Sequence, residues 1–236
     1  MEIEIKQSLK TSLKKLKLMS ILPTLPDRVA YAKNTQLSPI DFLELCLQDE
    51  AERRENRNLQ ARLKRASFSE EQTFEGFDWN APVTFDRQRV RDLFSLGFLE
   101  RKEDILLLGP VGVGKTFLAS ALGHSACRAG KKVLFISAGK MFKELLQARA
   151  DFTHEAVLQR LLTIDLLIID DFGLRQLDVT QSSDIYEIII ERHRKASTIV
   201  TSNRSLDEWV PLFDDPLLAQ SALDRIGHNA HQVVIQ

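Results

Sequence analysis

Short apolar runs alternate with longer amphipathic stretches through the second half of the chain. The runs are four to six residues long and rich in leucine and β-branched side chains, as strands buried on both faces are. Helices are predicted between them, over residues 115–129, 139–160 and 182–195. Because strands that alternate with helices form parallel sheets, the pattern predicts an α/β fold with helices flanking the sheet. The predicted strands are Ile105–Leu108, Val133–Ser137, Leu166–Ile169 and Ser197–Ser202.

The first part of the chain has a helical pattern instead. Leucines recur at helical spacing among lysines over residues 6–19, which predicts an amphipathic basic helix. Two prolines then interrupt the pattern, and a second short helix is predicted after them. Ser38 and Pro39 are typical of a helix start, and no glycine or proline follows before Ala66, which predicts one long helix. We therefore predict a small all-helical domain over residues 1–67.

Residues 68–82 are predicted to link this domain to the α/β domain at residues 83–236. Two interpretations of the linker's aromatic side chains stay open, because they could line an adenine pocket or dock onto the core. A helix is predicted from about residue 86 to residue 96, closed by Gly97, and residues 205–208 form a capping box for another. The aromatic residues of the linker are Phe68, Phe74, Phe77 and Trp79.

Composition narrows the classes of function. The net charge of −1 over 236 residues argues against a positive electrostatic potential that would attract nucleic acid to the whole surface. The first 35 residues hold seven lysines or arginines against three acids, which a phosphate-contacting arm and a solvated helix face explain equally well. Two cysteines without CxxC spacing argue for a reducing, intracellular setting and against zinc or disulfides. With neither a long apolar run nor a signal-peptide pattern, the sequence predicts a soluble cytoplasmic protein.

The first strand leads into residues 109–116, which have the GxxxxGK[ST] spacing of a P-loop. Glycines let successive backbone N–H groups point at a phosphate, and the following helix N-terminus adds positive potential. Lys115 is predicted to contact the β- and γ-phosphates of ATP, and Thr116 to bind Mg²⁺. The alternative is a glycine-rich strand–helix connection without a ligand. The predicted ATP contacts are Gly109, Pro110, Val111, Gly112, Val113, Gly114, Lys115, Thr116 and Phe117.

Polar residues follow two of the later strands. Asp170 and Asp171 follow the third apolar run, at the edge where parallel α/β sheets bind ligands. Asp170 is predicted to hold Mg²⁺ with Thr116, and Asp171 to orient and deprotonate the attacking water. Adjacent acids are also common in plain turns, and it is the P-loop that favours the metal site. Asn203, just beyond the fourth strand, is predicted to sense the γ-phosphate, and the alternative is a turn-forming asparagine.

Arg225 lies too far along the chain to belong to the phosphate cradle. An arginine supplied by a neighbouring subunit can neutralise charge in a phosphoryl-transfer transition state, and we predict this role for Arg225. The alternative is a surface arginine paired with Asp224 or another acid. The basic cluster of Arg192, Arg194 and Lys195 is ambiguous between these roles.

Four segments together, GPVGVGKT, LLIIDDFG, TIVTSN and ALDRIGHNA, resemble the initiator-clade AAA+ ATPases and specifically the IstB/DnaC-like group. The stretch FLELCLQDEAERRENRNLQARLKRA, followed by FEGFDW, resembles the IstB transposition helpers of bacterial insertion sequences. This N-terminal stretch is more specific for the IstB proteins than the P-loop and the acid pair are, because helicase loaders carry a different N-terminal domain. The resemblance covers the chain from about residue 9 to residue 231.

The resemblance implies a five-stranded AAA+ sheet with an extra helix after the second strand, within residues 139–160. That insert would help contact duplex DNA in a central channel, although from the residues alone an ordinary solvated face is preferred. It also implies a homo-oligomer that forms with ATP and DNA, places Arg225 at the neighbour's nucleotide and delivers a cognate transposase. No membrane partner is predicted, because no apolar run is long enough to span a bilayer. The helical domain would contact a partner or DNA and support the oligomer. The implied DNA contacts are Lys140, Lys143, Arg149 and Arg160.

Two features depart from the broader AAA+ pattern. Asp171 stands where many members carry the longer glutamate, although the IstB/DnaC-like group admits either acid, and slower hydrolysis would suit a switch. The sequence also ends at Gln236, soon after Arg225. We therefore expect no full helical lid, name no sensor-two arginine, and expect the neighbouring subunit to close the nucleotide site.

The leading hypothesis is a transposition helper that uses ATP and Mg²⁺. It would assemble on target DNA, recruit a transposase and hydrolyse ATP to disassemble. One alternative is a DnaC-like replicative helicase loader, which would bind single-stranded DNA and a helicase. The other is a non-hydrolysing adaptor that binds ATP as a structural ligand.

Overall fold

The computed structural model describes residues 5–70, 72–79 and 82–236. Residues 1–4 of the predicted helical domain and residues 71, 80 and 81 of the predicted linker lie outside the described residues. The chain divides into two compact units, Met1–Ala61 and Arg62–Gln236. Within the described ranges, no helix combines the length and apolarity needed to cross a bilayer.

The first unit is helical, as the pattern predicted. The long helix α3 begins at Pro39, where the Ser38 hydroxyl accepts the backbone N–H of Asp41 at 3.2 Å, and it continues to Ala66. The first helix is shorter than predicted, because Lys17 adopts a left-handed conformation with φ 57°. The helices are α1 Gln7–Lys15, α2 Leu25–Thr35 and α3 Pro39–Ala66, with a 3₁₀ turn at Met19–Ile21.

The second unit is built on a parallel sheet that, in the described residues, has five strands in the order β2-β3-β4-β1-β5. All four predicted strands are confirmed, and β3 extends through the acid pair to Phe172. The five strands also confirm the sheet that the family resemblance implied. The strands are β1 Asp104–Leu108, β2 Val133–Ser137, β3 Leu166–Phe172, β4 Ser197–Ser202 and β5 Ala230–Val234.

Helices connect and cover these strands. A buried apolar core forms between the sheet and the helices that follow β2 and β3. The capping box predicted at residues 205–208 is present, but it begins a 3₁₀ segment, Leu206–Leu212, that contains Pro211. The helices are α4 Arg87–Leu93, α5 Gly97–Arg101, α6 Lys115–Arg128, α7 Ala138–Ala150, α8 His154–Thr163, α9 Val179–Arg192 and α10 Pro216–His228.

The predicted helical region 139–160 consists of two helices, α7 and α8, as the extra helix of the family resemblance implied, and Phe152, with φ 56°, ends the helical backbone between them. One helix prediction was wrong in detail. Gly97 does not close the helix that begins near Asp86. Leu96 takes the left-handed conformation that a closing glycine would adopt, with φ 61°, and Gly97 begins the short helix α5.

Candidate functional site

The P-loop joins the central strand β1 to helix α6. Gly112 and Gly114 have φ of 87° and 92°, a left-handed conformation that glycine adopts without strain. Helix α6 begins immediately afterwards at Lys115, so its unpaired N–H groups and the loop amides face the same region. This arrangement is a ready-made site for a phosphate anion.

The first glycine of the loop is required by a close backbone approach. Gly109 has φ 148°, and a Cβ built on it would lie 2.0 Å from the carbonyl oxygen of Ile235. The Ile235 N–H donates to the Leu108 carbonyl at 2.8 Å. The backbone that follows β5 is therefore packed directly against the start of the P-loop, and only glycine fits there.

Gly109→Ala is expected to lower the free energy of unfolding by about 1–3 kcal/mol from backbone strain alone, with the clash against Ile235 adding to the loss. Gly139→Ala is the matched control, because nothing lies within 4 Å of its Cβ position in α7 and alanine favours a helix. Urea unfolding followed by circular dichroism measures both variants. Equal stability of the two variants would contradict this account of Gly109.

The P-loop lysine is buried and turned back onto its own loop. The Lys115 ammonium donates to the carbonyl oxygens of Gly109 and Pro110 at 2.7 and 2.6 Å. Burial lowers the pKa of Lys115, while the carboxylates of Asp171 and Asp170 oppose that shift. A phosphate in the loop would offer this ammonium a charged acceptor in place of two carbonyls.

The two residues predicted to bind Mg²⁺ lie in contact, although 54 positions separate them in the sequence. The Thr116 hydroxyl donates to Asp170 Oδ1 at 3.0 Å and lies 3.3 Å from Oδ2. Hydroxyl and carboxylate oxygens are the ligands that Mg²⁺ prefers. The donor set therefore fits a magnesium ion, which Thr116 and Asp170 would hold.

Asp171 lies beside this pair in a different environment. Its φ is 56° and its side chain is exposed. Partial burial raises the pKa of the Asp171 carboxyl, the negative charge of Asp170 adds to the rise, and the Lys115 ammonium opposes it. A carboxylate whose proton affinity is raised in this way is suited to act as a general base.

Thr201 contacts both acids, although it was not among the predicted site residues. The Thr201 hydroxyl donates to Asp170 Oδ1 at 2.6 Å and accepts the backbone N–H of Asp171 at 2.9 Å. The signal was present, because four of the six residues in Ser197–Ser202 carry hydroxyl groups although the whole strand is buried. A buried strand with so many hydroxyls must satisfy them inside the protein.

A second set of side chains ties the ends of β3 and β4 together. Asn203 lies directly after β4, as predicted. Its neighbour Arg204, also missed, donates from Nε to the Gly173 carbonyl at 2.7 Å. The Ser202 hydroxyl donates to the Phe172 carbonyl at 2.8 Å. These bonds fix the loop after the acid pair to the strand end that carries Asn203.

Arg225 is exposed on α10, and its described side-chain hydrogen bonds stay within that helix. Its Nη1 donates to the carbonyl and hydroxyl oxygens of Ser221 at 2.9 and 2.5 Å. Within the described unit it is therefore a surface residue, available to a neighbouring molecule.

One member of the ambiguous basic cluster, Arg192, is buried. Arg192 is 1% exposed and donates to carbonyl groups around the ends of α8 and β4, including those of Leu161 and Ile164. Burial lowers the pKa of Arg192 to about 10 and raises the pKa of Asp104 nearby to about 7. Arg192 therefore supports the fold rather than offering a charge to a ligand.

The four implied DNA contacts differ in their surroundings. Arg149 forms an ion pair with the buried carboxylate of Asp184 on α9. Arg160 lies 3.1 Å and Lys140 3.9 Å from Glu144, which reduces their net charge. Lys143 is exposed beside a cleft of about 540 Å³ that also reaches Asp171. The structure thus links Arg149 to the core of the unit and leaves the other three cations at the surface.

The linker aromatics fall into two groups. Phe68 stacks on His124 with ring centroids 4.1 Å apart, so it docks onto the core. Phe77 lies 5.7 Å from Phe117, the residue after Thr116, and 4.8 Å from Trp79. The interpretation that the linker aromatics dock onto the core therefore applies to Phe68. The adenine-pocket hypothesis stays a prediction for Phe77 and Trp79.

Related sequences match nearly the whole length of the chain. A family profile of IstB-like ATP-binding proteins matches residues 11–236. A protein of Mycobacterium tuberculosis, named as a candidate ATP-binding protein in an insertion sequence, is 37% identical over 229 residues, or 97% of this chain and 91% of the relative. A similarly named protein of insertion sequence IS21 from Pseudomonas aeruginosa is 36% identical over 94% of this chain and 84% of the relative.

Solved structures with the same fold are more distant in sequence. DnaI matches with a TM-score of 0.59 and 20% identity over 70% of this chain and 92% of its own. The DnaC helicase loader matches with a TM-score of 0.55 and 22% identity over 63% of this chain and 87% of its own. A replication initiator, DnaA bound to AMPPCP and single-stranded DNA, matches with a TM-score of 0.57 and 20% identity, over 68% of this chain and 49% of its own. These likenesses establish an AAA+ fold.

Proposed function

This chain belongs to the family of IstB-like ATP-binding proteins, and we propose that it is an ATPase that assembles on duplex DNA and recruits a transposase. The observation that carries the enzymatic part is the contact between the Thr116 hydroxyl and Asp170. It joins the phosphate-binding loop to the acidic strand end, where a hydrolytic site needs both. The insertion-sequence names of the relatives support a transposase as the partner.

In the proposed mechanism the P-loop amides and Lys115 hold the triphosphate. When bound, Mg²⁺ would be held by Thr116 and Asp170 and would neutralise phosphate charge. Asp171 orients the attacking water and accepts its proton, and its raised pKa favours that transfer. Asn203 contacts the γ-phosphate or the water from the end of β4.

The proposed DNA contacts lie on the two helices that follow β2. Lys140 and Lys143 are exposed on α7, and Arg160 is half-exposed on α8. Exposed cations on adjacent helices can contact phosphates without reading sequence. Arg149 is proposed to position α7 through Asp184 and so to act on DNA indirectly.

The test of the proposed function is phosphate release with duplex DNA, single-stranded DNA or no DNA, combined with negative-stain imaging in ATP. We expect duplex DNA to stimulate hydrolysis and to produce ordered oligomers that capture the cognate transposase in a pull-down. Stimulation by single-stranded DNA with capture of a helicase would favour the loader alternative. ATP binding without phosphate release under any condition would favour the non-hydrolysing adaptor.

Arg225→Ala is expected to lower ATP hydrolysis in the assembled protein by about 10³-fold or more, because the transition state loses a positive charge from the neighbour. Nucleotide affinity of the isolated chain should stay unchanged, since the Arg225 side chain donates only to Ser221 in the described hydrogen bonds. Arg128→Ala, which removes a half-exposed arginine on α6, is the control.

Mixing variants separates action in trans from action in cis. Lys115→Ala subunits retain Arg225 but lack the P-loop lysine, and Arg225→Ala subunits have the converse defect. If Arg225 acts on the neighbour's nucleotide, the mixture should hydrolyse ATP faster than either variant alone. A mixture no faster than its parts would contradict the trans role.

A further inference from the structure

The pairing of β3 with β4 is interrupted at the acid pair. The two strands pair regularly from Leu166 to Ile169, and the register then shifts before Phe172 pairs with Ser202. Such a bulge removes ladder hydrogen bonds locally and re-aims the side chains within it. Asp170 and Asp171 both lie in this interruption.

The hydroxyl of Thr201 fills the gap left in the ladder. Thr201 is fully buried. It accepts the Asp171 N–H at 2.9 Å and donates to Asp170 Oδ1 at 2.6 Å. Because a hydroxyl has one proton to donate, the Thr201 hydroxyl donates to Asp170 and can only accept from the Asp171 N–H. The orientation of this hydroxyl is therefore determined by the two acids together.

We propose that Thr201 is a positioning residue for the magnesium ligand Asp170 and for the base Asp171, an inference that rests on the proposed function. Asp170 Oδ1 receives hydrogen bonds from both Thr201 and Thr116, at 2.6 and 3.0 Å. Oδ2 has only the longer Thr116 contact, at 3.3 Å, among these bonds. Thr201 thereby leaves Oδ2 as the oxygen with free acceptor capacity for the ion or its bound water.

The same hydroxyl links the acids to the strand that ends in Asn203. Because Thr201 holds the Asp171 amide, the backbone of the base is attached to β4 by a side chain rather than by the ladder. A movement of the β4 end on contact with the γ-phosphate would shift both acids. The position thus couples the phosphate-sensing strand to the metal ligand and the base.

The test compares Thr201→Val, which keeps the shape and removes the hydroxyl, with Thr201→Ser, which keeps the hydroxyl. Thr198→Val is the matched control, because it removes a buried hydroxyl from the same strand, where Thr198 accepts a bond from Arg192 at 3.0 Å. ADP affinity with and without Mg²⁺, the Mg²⁺ concentration for half-maximal hydrolysis, and kcat are measured for each. Melting temperatures report the loss of stability separately.

We expect Thr201→Val to keep its magnesium-free ADP affinity within about threefold, to need about tenfold more Mg²⁺, and to lose at least about tenfold in kcat, since a hydrogen bond to a charged group is lost. Thr201→Ser should restore both values to within about threefold of wild type. Thr198→Val should lose stability but keep the wild-type dependence on Mg²⁺.

The positioning role is overturned if Thr201→Val keeps the wild-type Mg²⁺ requirement and kcat, or if Thr201→Ser is as impaired as Thr201→Val. If the valine variant does not fold, Thr201→Ala replaces it and the same comparison with serine decides. A wild-type chain that binds nucleotide but does not hydrolyse it refutes the proposed ATPase, and the Mg²⁺ dependence of ADP affinity still tests Thr201. A wild-type chain whose ADP affinity ignores Mg²⁺ overturns both.

Discussion

Lys115→Ala is expected to weaken ATP binding by about tenfold to more than a hundredfold, the value of a hydrogen bond to a charged group expressed as a binding constant. The ammonium lies within the P-loop, bonded to Gly109 and Pro110 at 2.7 and 2.6 Å. It can exchange those carbonyls for phosphate oxygens, whereas alanine offers no donor. Isothermal titration with ATP and Mg²⁺ measures the loss.

The variant should nevertheless fold. Burial lowers the pKa of Lys115, which means that its charged form is disfavoured in the folded protein, and alanine removes that penalty. The melting temperature without nucleotide should therefore stay within a few degrees of wild type. Lys132→Ala, at an exposed lysine before β2, is the control and should bind ATP normally. Undiminished ATP binding by the Lys115 variant would refute the P-loop assignment.

Asp171→Asn is expected to lower kcat by about 10²–10⁴-fold, the usual contribution of a general base. Nucleotide and Mg²⁺ binding should persist, because Asp170 and Thr116 are intact. The complex with ATP and duplex DNA should then accumulate instead of disassembling. Single-turnover phosphate release and the lifetime of the DNA complex measure the two effects.

The pH dependence gives an independent check on the same residue. Because partial burial and Asp170 raise the pKa of Asp171, the wild-type rate should fall as pH falls through that raised pKa. The asparagine variant should not show this decrease in rate. The raised pKa also means that the charged form destabilises the fold at neutral pH. The nucleotide-free variant should therefore be at least as stable as wild type at pH 7.

Asp165→Asn is the matched control for the base. Asp165 lies just before β3, at the opposite end from Asp171, and accepts the Lys132 N–H at 2.8 Å. Asparagine can accept the same bond, so this variant should retain normal turnover. If Asp171→Asn hydrolyses ATP as fast as the Asp165 variant, Asp171 is not the base.

The strands and the P-loop could be predicted because their signals are local. A run such as Leu166–Ile169 is apolar at every position, as a strand buried on both faces is, and the helical patterns on either side of it favour a strand. Strand β5, Ala230–Val234, lacked this signal because it forms a sheet edge and is partly exposed. The position of the break between α7 and α8 was not predicted either, since Phe152 adopts a left-handed conformation that its residue type does not favour.

The sequence by itself determined the order of strands and helices, the phosphate-binding loop and the acids that follow β3. Each of these depends on residues within one short segment. Only the tertiary structure decided that Arg149 pairs with Asp184, that Arg192 lies inside the core, and that Thr201 contacts Asp170. The physical reason for the Thr201 contact is the order of strands across the sheet, as distinct from their order along the chain, since β4 lies between β3 and β1. Local periodicity does not encode that order.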